Sequence, residues 1–241
     1  MKRFYKVAEV SACPPHGFHV CLDGKPLKKQ SGEALVISHQ ALADKLAAEW
    51  AAQTDAIIPE NMPFMQLLAT AYDRVAAERH AILPPLLAYL PTDLIRYRAP
   101  AQGAEIGMAE AQDKAWNPWL VWFEKHYGVK LETTTGLAAL AKDTALEARL
   151  KEELEALDDL HFTLLQTVTN ESGSLILALA FLRGDLSAQL LFEAAYVEEL
   201  VMGTKYNEDF YGIDPLQEKV RNAKKRFFEA AETLRDILRE G

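Results

Sequence analysis

The chain divides by its pattern of hydrophobic and polar positions into a short β-rich beginning and a long helical remainder. In the first forty residues, apolar runs at Phe4 to Val10, Phe18 to Leu22, Leu27 to Lys29 and Ala34 to Ile37 are separated by turn residues. Phe18, Val20 and Leu22 alternate onto one face, and Asp23-Gly24 suits the positive φ angles of a two-residue type I′ turn. This predicts a small antiparallel meander, which needs a helix packed against it. That helix is expected over residues 39–53. Leu42, Leu46 and Trp50 recur there at every fourth position, Asp44, Lys45 and Glu49 form the opposite face, and Ser38 stands as N-cap.

A second helix is expected from Pro63, with Leu67, Leu68, Ala71, Tyr72 and Val75 on one stripe. Pro84, Pro85 and Pro91 are expected to break the chain after this helix, and Leu94 to Arg98 and Val129 to Thr134 read as short strands. From about residue 110 the periodicity is helical. Trp116, Trp119, Leu120, Phe123 and Tyr127 form one stripe ending at Gly128, and Leu146, Leu150, Leu154 and Leu157 form another. The run Ser174 to Leu182 is apolar all round and predicts a buried central helix. Gly184 ends it, and Asp185 caps a helix bearing Leu186, Leu190, Ala194, Val197 and Val201. Asp214-Pro215-Leu216-Gln217 has the capping-box arrangement, before a last helix with Leu216, Val220, Ala223, Phe227, Leu234 and Leu238 on one face. The fold class expected is α+β: a β-rich N-terminal domain over residues 1–60 with a packed helix, then a larger, mainly α-helical domain over residues 61–241.

Composition changes this picture by exclusion. With 49% hydrophobic and 25% charged residues among 241, the chain is neither disordered nor low-complexity. The longest apolar run, Leu175 to Leu182, falls far short of the roughly 20 residues that cross a bilayer, so no membrane insertion is expected. A net charge of -9 argues against nucleic acid and toward a basic partner. Met1 to Val10 shows no leader pattern, and the two cysteines suit a reducing compartment, so a cytoplasmic location is expected.

Candidate chemistry is sparse. Cys13, His16, His19 and Cys21 are the residue types zinc prefers, yet Pro14-Pro15 and the tight His19/Cys21 spacing fit loop and strand positions better than two zinc knuckles. Asp158-x-x-His161 only imitates a di-iron element, and Asp158 reads as a helix cap. Nucleotide-binding, hydrolase and zinc-protease signatures do not occur. Lys219, Arg221, Lys224, Lys225 and Arg226 read as a solvated helix face. The tryptophans read as core or interface residues, with Trp122 off the main stripe of its helix. Glu198 and Glu199 lie between apolar helix positions. Neighbours on a helix sit about 100° apart, so at least one carboxylate borders the apolar face, as a rim charge, a structural ion pair or a recognition group for a basic partner. A metal-dependent or acid/base enzyme using Glu198, Glu199 and histidines is the alternative reading.

Several segments, taken in order, resemble the chaperone family that assembles the catalytic head of the F-type ATP synthase by holding its α subunit. They begin with Arg3-Phe4-Tyr5-Lys6-Val7, Leu22-Asp23-Gly24-Lys25-Pro26-Leu27, Ala48-Glu49-Trp50-x-x-Gln53 and Ile58-Pro59-x-x-Met62-Pro63. Thr70-Ala71-Tyr72-Asp73-Arg74-Val75, Thr92-Asp93-Leu94, Gln112-x-x-x-Trp116-x-Pro118-x-Leu120-x-Trp122, Ser174-Leu175 and Glu198-Glu199 complete the series. The chain departs from the family pattern at Lys29-Gln30, Met65, Met202 and Tyr206-Asn207. The resemblance implies a bacterial, non-enzymatic assembly factor with no cofactor. Its partner would be the α subunit, bound through an acidic helix site that falls on Glu198 or Glu199.

Overall fold

The computed structural model describes residues 1–205 and 215–240. The N-terminal layer is a three-stranded antiparallel sheet of β1 (Ala8–Cys13), β2 (Gly17–Leu22) and β3 (Lys25–Pro26), in the order β1-β2-β3. Asp23 and Gly24, with φ of 48° and 77°, make the β2–β3 turn that their residue types demand. The first expected strand starts late. Residues 3–7 instead form a clasp, in which the Asp23 carboxylate accepts N–H bonds from Lys6 and Val7. The runs at Leu27 to Lys29 and Ala34 to Ile37 make only isolated bridges, Lys28 with Ala34 and Phe18 with Ile37.

Helix α1 (Gln40–Ala51) buries Leu42, Ala43, Leu46, Ala47 and Trp50 and packs on β1 and β2. Its N-cap is His39, without a side-chain cap bond, because the Ser38 hydroxyl is turned to the His39 ring. The N-terminal clasp closes its other end. Tyr5 donates its hydroxyl proton to Trp50 O at 2.6 Å, and Arg3 donates to Gln53 O, just past the helix, at 2.7 Å.

Glu49 does not face solvent as the pattern predicts. Its carboxylate accepts Phe64 N–H at 2.7 Å and Met65 N–H at 2.9 Å, and so caps α2 (Pro63–Ala69). Gln53 accepts Ile58 N–H at 2.8 Å beside it. The helix continues through a π segment (Thr70–Val75) into α3 (Ala76–Leu87). In that segment Asp73 accepts Gln30 N–H at 2.9 Å, tying the sheet's loop to the helical body. Pro84 and Pro85 do not end α3; both lie on its exposed side, where water can take the carbonyls they free.

Leu94 to Arg98 is not a strand. Leu94–Arg96 is a 3-10 turn capped by Asp93, and residues 129–134 contribute only a bridge from Thr134 to Tyr97. The long α4 (Ile106–Tyr127) ends at Gly128 with φ of 69°. It is followed by α5 (Thr144–Glu155) and by α6 (Asp159–Ser172), which Asp158 caps as expected. At the centre lies α7 (Leu175–Leu182), buried from Leu175 to Phe181. Its N-terminal N–H groups meet Ser174 and the fully buried Asp93, and beyond its C-terminus Arg235 donates to Phe181 O and Leu186 O at 3.1 and 3.0 Å. An anionic side chain at the N-terminus and a cationic one near the C-terminus match the helix dipole.

After α7 come α8 (Ala188–Ala195), α9 (Val197–Lys205) and the C-terminal α10 (Pro215–Glu240). The cap of α8 is Ser187 rather than Asp185, which instead accepts from Trp122. The expected cap Asp214 and the departure at Tyr206-Asn207 lie outside the described residues. On α10 the apolar stripe is only partly buried. Phe228, Ala231 and Leu234 enter the core, whereas Leu216 and Val220 are 68% and 51% exposed. Leu190, expected on the buried stripe of α8, is likewise exposed. No described helix is long and apolar enough to cross a membrane.

Candidate functional site

The chain bends at Tyr196, whose φ of -115° and ψ of 19° end α8, and Val197 anchors the start of α9 in the core. Glu198 and Glu199 therefore stand in the first turn of α9, where the helix dipole favours carboxylates. Both residues are exposed, but they are held differently.

Glu198 accepts a hydrogen bond from Gln112 Nε2 at 2.6 Å. Gln112 is 1% exposed, and its own carbonyl accepts Ala99 N–H at 2.7 Å. One turn along α4, fully buried Trp116 donates its indole proton to Ala194 O at 2.7 Å. These contacts fasten α4 to the α8–α9 bend, and exposed Glu198 is one of the groups that make them.

Glu199 lines a groove of about 550 Å³ between α9 and α10, together with Tyr196, Met202, Leu216, Val220 and Lys224. Lys224 is ion-paired with Glu171 on α6, which fixes the far wall. The Tyr196 phenol donates to Glu171 O at 3.4 Å, and its pKa is pushed up by burial first and then by the charges of Glu171 and Glu199. The site thus joins an exposed carboxylate to a largely apolar trough. It is chemically suited to a cationic side chain flanked by apolar ones.

The other candidates are dispersed. Cys13 and Cys21 are free thiols, Cys21 is buried in β2, and the His19 ring is occupied by Leu35 O at 2.8 Å. Among the described residues no group of three or more His, Cys, Asp or Glu side chains is placed to hold a metal ion. His161 is used locally, its Nδ1 2.7 Å from the Asp158 carboxylate. Trp50 and Trp116 are buried, Trp119 is half-buried, and half-buried Trp122 donates to Asp185 at 2.9 Å and packs on His126. Of the basic residues on α10, Lys224 holds Glu171 and Arg226 reaches Asn61 at 3.4 Å, so the face is only partly a solvated one.

Sequence reasoning missed Gln112, Asp93 and Glu49 as individual actors, although each lies within a segment that carries the family resemblance. The signal was a polar residue at an otherwise apolar helix position, as with Gln112 one turn before Trp116.

The family model for the ATP12 chaperone protein matches residues 2–124, just over half of the chain. Among solved structures, Atp12 from Paracoccus denitrificans is 26% identical with a TM-score of 0.78, over 98% of this chain and 97% of that one. A point-substituted form of the same protein aligns at 27% identity over the same shares and with the same TM-score. The Atu1473 protein of Agrobacterium tumefaciens aligns at 28% identity and a TM-score of 0.82, over 98% of this chain and 86% of that one. The sequence match, the shared fold and the segments that build its scaffold agree: this chain belongs to the ATP12 chaperone family.

Proposed function

We propose that this chain assists assembly of the F-type ATP synthase head by binding the unassembled α subunit in the cytoplasm, without catalysis. An unassembled subunit exposes apolar surface that it later buries against its neighbours, and covering it for a time needs an apolar trough with a polar rim. The observation that carries the reading is the exposed Glu199 carboxylate at the edge of the trough formed with Met202, Leu216 and Val220. Glu199 pairs with an Arg or Lys of the client, while Glu198 positions α9 through Gln112. A contact of this kind gives moderate, salt-sensitive affinity, as a transient partner requires. The two free thiols suit a reducing compartment. The division near residue 60 belongs to the same reading, with the sheet and α1 forming a smaller unit latched to the helical one by Glu49.

The test is a pull-down of tagged protein from its own cells, wild type beside Glu199→Lys, with partners identified by mass spectrometry. The α subunit is expected with wild type only. Absence of every ATP synthase subunit from the wild-type sample would remove the client. Equal recovery by Glu199→Lys would remove the site.

A further inference from the structure

The sheet has one long unpaired edge, and its hydrogen bonds fix which groups lie on it. Val20 O accepts from Leu27 N–H at 2.8 Å, and Phe18 exchanges two bonds of 2.9 Å with Ile37, so both residues turn their peptide groups away from β1. In the register Val10↔Val20 and Ala12↔Phe18, these are the non-hydrogen-bonded pairs. The bond of 3.0 Å from Asp23 N–H to Val7 O agrees, placing the odd-numbered residues toward β2. The N–H and C=O groups of Ala8, Val10 and Ala12 therefore point outward. Among the described residues, none of the six makes a hydrogen bond.

Soluble proteins usually guard such an edge with lysine, proline, a bulge or brevity. Strand β1 keeps a regular register for six residues, Ala-Glu-Val-Ser-Ala-Cys, with none of these devices along it. The opposite side is closed by β3 and by the bridges of Lys28 with Ala34 and Phe18 with Ile37. At the N-terminal end of the open edge Val7 is 52% exposed.

We infer that the outer edge of β1 receives an extended segment of the client polypeptide as an added strand. The inference rests on the chaperone reading above and gives the client a second contact, read through its backbone. Donors and acceptors on the edge recur about every 6.8 Å, a spacing that an extended chain reproduces whatever its side chains. Ala8 and Ala12 are small enough to let another backbone approach. Charge selects among occupants: a second copy brings another -9, and Glu9 is the exposed charge on β1, so a neutral or basic client segment is favoured over self-pairing.

The test is residue-resolved amide exchange in the full-length protein, with the unassembled α subunit and, separately, with reduced and carbamidomethylated ribonuclease A as an unfolded basic chain. Exchange at Ala8, Val10 and Ala12 is expected to slow by about tenfold or more, with little change at Glu9 and Ser11, which β2 already holds. Val10→Pro removes one outward donor and no bond of the sheet. It is expected to weaken both complexes by about fivefold or more, with Ala12→Pro as the second variant should the first fail to fold.

Binding of the α subunit with unchanged exchange at the three amides would overturn the edge contact and leave the proposed function standing. Slowing with the unfolded chain but no binding of the α subunit would uphold the edge and overturn the proposed client. Binding of neither probe would overturn the inference. Slowing that grows with protein concentration alone would make a second copy the occupant and overturn it too.

Discussion

The carboxylate of Asp93 and the hydroxyl of Ser174 meet at the first turn of α7, the most deeply buried of the described helices. Asp93 Oδ2 accepts Ile176 N–H at 3.1 Å, and Ser174 Oγ accepts Leu177 N–H at 3.0 Å. Between them they satisfy N–H groups that water cannot reach. Two short segments of the family resemblance, Thr92-Asp93-Leu94 and Ser174-Leu175, are therefore the two halves of one cap.

Burial pushes the Asp93 carboxyl up to about 6 against the opposing pull of its hydrogen bonds. A folded-state pKa above the ordinary 3.8 means that the contribution of this group is fully present below about pH 4 and is lost as pH rises through about 6. Asp93→Asn is expected to flatten that part of the stability profile, measured by urea unfolding between pH 4 and 7.5. Asp93→Ala, which orphans the N–H groups of Ile95 and Ile176, is expected to cost about 2–4 kcal/mol at pH 7.

Glu49 titrates in the same direction for the same reason. Burial raises its carboxyl to about 7 although two backbone N–H groups oppose the shift. Its contribution is full below about 4.5 and is lost as pH rises through about 7. A carboxyl carbon titration by NMR is expected to show a midpoint near 7 for Glu49. A midpoint near 4.5 would mean that the carboxylate is hydrated and does not cap α2.

The two glutamates of α9 are expected to separate by stability. Glu198→Ala removes the acceptor for Gln112 and should cost about 1–2 kcal/mol in chemical denaturation. Glu199→Ala should stay within about 0.5 kcal/mol of wild type while weakening client capture. If the two variants unfold alike, the division between scaffold and contact is wrong.

Trp50 is 8% exposed, packs edge-on to Tyr5 at 5.6 Å, and has an indole N–H without a hydrogen-bond partner. Trp50→Arg places a charge among apolar groups and is expected to cost at least about 3 kcal/mol, seen as a lowered Tm or as insoluble protein. Trp50→Phe gives up no hydrogen bond and should be much milder. A soluble Trp50→Arg protein with the wild-type Tm would show that α1 is not held through this residue.

Much of the scaffold was legible because it depends on neighbours in sequence. The Asp23-Gly24 turn, the Asp158 cap, the Gly128 stop and the all-round apolar α7 each follow from a few adjacent residues. What was not legible depends on partners far away. Leu94 to Arg98 reads as a strand, but Asp93 is held by Ile176 N–H, 83 residues on, and Leu94 N–H by Gly173 O at 3.1 Å, and the segment between them winds into a turn. The acidic pair on α9 was visible, but which member is engaged is decided by Gln112, 86 residues earlier. Leu216 and Val220 continue the stripe of Leu234, yet they are exposed where Leu234 is buried, a difference that the periodicity of one helix does not carry.

Arg235, 6% exposed and bound to Phe181 O and Leu186 O, has a consequence for the order in which the chain is made. Asp93 leaves the ribosome well before α7, but Arg235 is made 54 residues after Phe181. During translation, at about 5–20 residues per second, the central helix therefore spends seconds with its N-terminal cap available and its C-terminal carbonyls open. The core therefore closes only once the segment of α10 that carries Phe228, Leu234 and Arg235 has emerged, and a nascent chain stalled short of it would leave the face of α7 and α8 that this segment covers open.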